Sequence, residues 1–390
     1  MAHNVEKEID GVIRTVTEMD HTAQEIDDAV DDVEHLKQWH SNPNLLDNWY
    51  FADPFDQQGG YVVPPDTPYY SDTALTTLVG AVATYTTVTY VGGMYGAVTV
   101  SGTTYYVDWT LAVRGYSGNK YTIERWRTVT SNTVHLITSN GIRVCGNADN
   151  TLHSLQTTIE NPKQYVGKTV TLSFFVPVNE TSDGLTASIW YGAGSVNQTA
   201  HSGVTVTVPA GQTGLITCTG VLSDMGDYAS ANPSIRMLRG TGYFEVSAAK
   251  LELGDKQTLA RQDENGNWVL IDPPPNKALE LAKCQRYLLN VTLLGESSAS
   301  VRLGVGIAKS ATEVDVFVPV PVTMRARPTV TAKDLYFNDG TKMLAATFKA
   351  NDHSNNGLRL VFTVENGTPG ASGILHTGAR GGLLLFDANL

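Results

Sequence analysis

From Asn44 onward the chain repeats one habit. A short run mixing Thr and Val with Tyr, Phe or Trp is followed by a turn signal such as Gly92-Gly93, Ser101-Gly102, Asp339-Gly340 or Asn366-Gly367. β-branched and aromatic residues fit a pleated surface, and such turns join antiparallel strands. The repetition predicts a mainly β protein of sandwich or jelly-roll type. Only 17% of the residues are charged, against roughly 25% in an average globular chain. The 27 Lys and Arg form no cluster, which argues against nucleic-acid binding, because phosphate contacts need grouped cations.

The first 40 residues read differently. They hold 11 acids and 3 bases, so −8 of the net −12 lies there. Their apolar residues, Val5, Ile9, Val12, Val16, Met19, Ala23, Ile26, Val30 and Val33, alternate spacings of four and three without a break. That is a heptad seam, with Val5, Val12, Met19, Ile26 and Val33 at d and the others at a. β-branched residues at d favour three strands over two, so the segment predicts a trimeric coiled-coil helix that ends at Asn42-Pro43.

The expected organisation is a coiled-coil stalk over 1–40 and a jelly-roll, carbohydrate-binding-like domain over 41–258, with an inserted β subdomain at about 60–116. A Pro-rich linker over 259–276 follows, containing Pro273-Pro274-Pro275. Residues 277–390 form a short helix from Lys277 and a C-terminal β-sandwich tip, closed by the buried apolar strand 382–386.

Chemistry is sparse. Cys145, Cys218 and Cys284 are too few and too scattered for a disulfide framework or a zinc site. Nucleophile-elbow, HExxH and CxxC motifs are absent, and the nine His are dispersed. No catalytic or metal site is expected. The start, Met1–Glu6, has neither a basic nor an apolar run, and no apolar stretch reaches membrane-spanning length. Assembly in a cytoplasm is therefore expected.

Three stretches carry a resemblance: 44–54 (NLLDNWYFADP) with 121–126 (YTIERW), 250–255 (KLELGD), and 280–287 (ELAKCQRY). In this order they resemble phage and prophage tail fibres or receptor-binding proteins. The resemblance implies a carbohydrate-binding-module-like jelly roll, a short helix and a distal β tip. It implies a virion homotrimer that docks to other tail or baseplate proteins through its N-terminal helix, holds host-surface polysaccharide and is not an enzyme. It also allows a structural Ca²⁺ near Glu252 or Asp53. A structural virion fibre without a receptor and a glycan-degrading tailspike are the alternatives. Sugar binding needs exposed aromatic faces flanked by Asp, Asn or Arg. The candidates are Trp190, Tyr191, Tyr116 and Tyr228. Trp190 and Tyr191, adjacent on a strand, point to opposite faces, so one of them belongs to the core. Trp109 and Trp126 read as core.

Overall fold

The computed structural model describes residues 2–9, 12–19, 41–57, 60–117, 121–128, 133–146, 152–191, 199–222, 231–238, 241–292, 301–354, 357–378 and 382–388. Among them the protein is built of antiparallel strands with a single α-helix, Lys277–Gln285.

The main core lies between sheets that span residues 45–270. In the strand Thr169–Val176, Val170, Leu172, Phe174 and Val176 alternate inward and are fully buried. This strand is flanked by Gly214–Val221 and Ala248–Leu253. Opposite it stands a six-stranded sheet in the order Tyr121–Ile123, Trp126–Arg127, Leu152–Gln156, Ala231–Leu238, Leu185–Tyr191, Thr199–Val208. That sheet supplies Leu155, Ile235, Ala187 and Ile189 to the same core. Trp126 is fully buried there, edge-on to Phe51 at 4.9 Å, with its indole N–H donated to the Asp47 carbonyl.

The subdomain near 60–116 continues the sandwich. Val113–Ser117 pairs with both Tyr61–Val63 and Val134–Thr138, so one eleven-stranded sheet runs from the sandwich into it. Its small core is five valines: Val63, Val82, Val88, Val98 and Val107.

The segment leading into the body is tied to one strand. Asn44 accepts from Leu251 N at 3.1 Å and donates to the Ala249 carbonyl at 2.9 Å, and Leu45 N donates to the Leu251 carbonyl at 2.8 Å. The fully buried Lys250 reaches Ser41 Oγ and Asp272, the latter at 2.7 Å.

Three expectations are corrected. Where the heptads predict a helix, Ala2–Ile9 and Val12–Met19 form an antiparallel ribbon with Val5 opposite Val16; residues 20–40 lie outside the described residues. Val5, Ile9, Val12, Thr15, Val16 and Thr17 are strand formers as much as seam residues, and in one chain the seam has no second helix to cover it. The segment read as a linker starts as part of the sandwich instead. Leu259 and Ala260 are fully buried, Ala260–Gln262 pairs with Trp268–Leu270, and Trp268 packs on Phe175. The prolines stiffen only its last residues.

The C-terminal β-sandwich is instead a closed six-stranded barrel: Arg302–Ala308, Glu313–Pro319, Gly357–Thr363, Met343–Ser354, Leu335–Asn338 and Ser372–Thr377, in that order around it. Glycines permit the closure. A Cβ on Gly306 would lie 2.2 Å from the Asp315 carbonyl oxygen, and one on Gly373 would lie 2.3 Å from that of Asn338. Beside the barrel, Leu383–Asp387 runs between Leu288–Asn290 and Thr329–Lys333, with Leu384 and Phe386 fully buried.

The helix joins barrel to sandwich. Asn276 caps it by accepting from Ala278 N and Leu279 N. Its buried Glu280 accepts from Asn48 N, while Asn48 Nδ2 donates to the Glu124 carbonyl at 2.9 Å. Arg125, at φ +72°, lies 3.6 Å over the Tyr287 ring, and Gln57 Nε2 donates to the Leu288 carbonyl at 2.8 Å.

Candidate functional site

The six-stranded sheet has one apolar face and one polar face. The residues that alternate with its core positions are Ser154, Gln156, Ser234, Arg236, Thr186, Ser188, Trp190 and Asn232. The register sets them side by side: Ser154 opposite Arg236, Arg236 opposite Thr186, Gln156 opposite Ser234, and Trp190 opposite Asn232. Strand alternation thus collects hydroxyls, amides, a guanidinium and an indole on a single surface.

Part of this surface is self-satisfied. Thr158 Oγ1 donates to Asn232 Oδ1 at 2.7 Å, Asn232 Nδ2 donates to the Trp190 carbonyl at 3.3 Å, and Ser188 faces Ser234. Other groups are not. Among the described residues, Ser154 Oγ and Arg236 Nε are buried without a hydrogen-bond partner, and they belong to residues directly opposite in register. The Arg236 guanidinium lies 3.8 Å from the centre of the half-buried Trp190 ring. Among the described residues it has no carboxylate partner, and partial burial pulls its pKa down to about 10. Buried donors are normally satisfied, so this pair is an exception on the face, and it lies beside the Trp190 indole.

The four candidate residues fall out differently. Trp190 is on this face. Tyr191 pairs through its backbone with Thr199 and Ala231; its side chain, like all of Tyr228, lies outside the described residues. Tyr116 is buried, its hydroxyl donating to Asp56 at 2.5 Å and accepting from Gly60 N at 2.7 Å. Burial and the Asp56 carboxylate push its pKa far up. Arg236 and Ser154 were missed because neither residue type stands out until the register sets one opposite the other.

The two positions named for calcium are engaged by donors. Glu252 accepts from Thr258 N at 2.7 Å and Thr258 Oγ1 at 2.5 Å, and Asp53 pairs with Lys277. Neither assembles the oxygen cage that calcium takes, and among the described residues no group of His, Cys, Asp or Glu is placed to hold a metal. The three cysteines are free; burial raises the thiols of Cys145 and Cys218 to about 11 and 12. The most perturbed carboxyl, Glu124, is raised to about 8, mainly by burial and next by Asp56. It is fully enclosed at the junction of sandwich and helix, out of reach of a substrate.

No family model matches the chain, and no curated protein matches its sequence. Solved structures do. A CBM22-1–CBM22-2 tandem from Paenibacillus barcinonensis is similar at 10% identity and a TM-score of 0.26, over 70% of this chain and 95% of that one. A Paenibacillus sp. cycloisomaltooligosaccharide glucanotransferase in complex with cycloisomaltoheptaose scores 0.18 at 10% identity, over 68% of this chain and 44% of that one. An oxalate decarboxylase mutant from Bacillus subtilis scores 0.13 at 11% identity, over 70% and 79%. Overlaps this small place no residue of this chain on a residue of theirs.

Proposed function

We propose that the protein binds glycan through the polar face around Trp190 and holds it without cleaving it. The observation that carries this reading is the partly exposed Trp190 indole with the Arg236 guanidinium beside it on a polar face. A sugar ring matches this pairing: its C–H face lies against the aromatic ring and its hydroxyls meet the partly exposed guanidinium.

The finer reading is a host-attachment fibre of a phage or prophage tail, assembled in the host cytoplasm as a homotrimer. The order of the three matched motifs supports it. Three copies on one particle would raise the avidity of weak sugar contacts.

A glycan array probed with the full chain tests the binding. Wild type is expected to retain a subset of bacterial polysaccharides. Trp190→Ala is expected to lose roughly tenfold or more in affinity, the scale of a lost aromatic contact together with disturbed neighbouring bonds. Trp190→Phe keeps a ring and should lose less. Equal binding by wild type and Trp190→Ala overturns this site, and an array with no retained glycan overturns the function.

A further inference from the structure

A second aromatic surface lies on the subdomain that extends the large sheet. Asp108 caps a single turn, Trp109–Leu111, and Trp109 N donates to the Met94 carbonyl at 2.8 Å. The turn sets the indole over Gly96, where a Cβ would lie 2.9 Å from the Trp109 ring and 2.5 Å from Val88. Tyr90 stands 5.0 Å from Trp109 at 63° to its plane and is 53% exposed; Tyr61 stands 4.9 Å from Trp109, tilted by 51°. The row ends in a charge. The Arg114 guanidinium is 5.4 Å over Tyr61, with its side chain 40% exposed, and it pairs with Asp56, whose side chain is 3% exposed. Tyr116 holds Asp56 from behind.

Three aromatic rings in a row, with a planar donor fixed at one end, form a surface that is apolar along its length and directional at its end. The counter-charge is sealed below the surface and the Tyr61 side chain is a second partner of Arg114, whose side chain still stays 40% exposed. A hydroxyl-rich ring with an apolar face matches both parts, whereas an apolar protein surface would bury the guanidinium without adding an acceptor. We propose that the row Tyr90–Trp109–Tyr61, ending at Arg114, is a second glycan-contact site that takes hexopyranose units. Its ligand class rests on the function proposed above; its geometry is independent of the Trp190 face. Trp109 and Tyr90 supply the stacking faces, Arg114 the hydroxyl donor, and Asp56 and Tyr116 position Arg114.

Affinity electrophoresis of the full chain, through gels holding soluble xylan, dextran or a Gram-positive cell-wall polysaccharide, tests this. Tyr90 is exposed, so Tyr90→Ala should fold as wild type does, with an unchanged melting temperature. Its affinity for the retarding polysaccharide is expected to fall roughly two- to tenfold, the scale of one aromatic contact. Tyr90→Phe should behave as wild type. If Tyr90→Ala weakens retardation while Trp190→Ala does not, this site stands and the first falls. If only Trp190→Ala weakens it, this site is overturned. Retardation by none of the three overturns both. A change of mass in light scattering for Tyr90→Ala, with retardation unchanged, identifies the row as a contact between copies and overturns the proposal.

Discussion

Glu124 shows how burial changes what a single residue does. Its carboxyl is enclosed, with one oxygen accepting from Gln57 N and the other without a partner. A pKa raised from 4.5 to about 8 means that the folded protein holds a proton the unfolded chain gives up. Between those two values the native state binds more protons, so stability falls as pH rises through that window and is fullest below about 4.5. Glu124→Gln replaces the protonated acid with a neutral group of similar shape. Thermal melts of the variant are expected to lose most of the decline that wild type shows from pH 5 to pH 8. A parallel decline in both proteins would show that Glu124 is not its source.

At the scale of elements, caps and close contacts decide what the chain tolerates. Asn276 satisfies two amide donors at the start of Lys277–Gln285. Asn276→Ala is expected to cost about 1 kcal/mol, readable as a lower denaturation midpoint with an unchanged denaturant slope. Gly96→Ala is expected to displace the Trp109 indole and to shift its fluorescence, because no Cβ fits beneath that ring. Element type was largely legible in the sequence. Thr169–Val176 announces itself by its run of β-branched and aromatic residues, and the short helix from Lys277 by the spacing of its apolar residues. The closed barrel was not legible, because closure depends on which strands meet edge to edge, and inward glycines such as Gly306 look like turn glycines in a linear reading. The ribbon at the N-terminus was hidden by a residue set that serves helix seam and strand alike. In the candidate site, Trp190 was legible as an aromatic on a strand. Its partner Arg236 lies far along the chain and is brought beside it only by the register of Leu185–Tyr191 with Ala231–Leu238. Trp109, read as core, packs against the five-valine core but is only partly buried, because a one-turn cap sets it at the edge of that cluster.

The whole molecule joins a nearly neutral β body to an acidic first segment. If three copies associate with their first segments together, about three times −8 is gathered in one place. Mutual repulsion there is screened by salt over roughly 8–10 Å at physiological ionic strength. Light scattering of the purified chain is expected to give three times the monomer mass, with the assembly strengthened by added salt. A monomer at every salt concentration would refute the trimer.

The attachment of Ser41–Leu45 to Ala248–Leu253 also has a mechanical meaning. Any tether that joins the body through the first segment pulls on the chain at Ser41. The bonds of Asn44 and Leu45 to that strand, together with the Lys250 contact, lie at the point of entry and take the load first. The strand they grip is itself zipped along Thr169–Val176, in the middle of the core, so a pull at Ser41 is passed to the centre of the main sandwich.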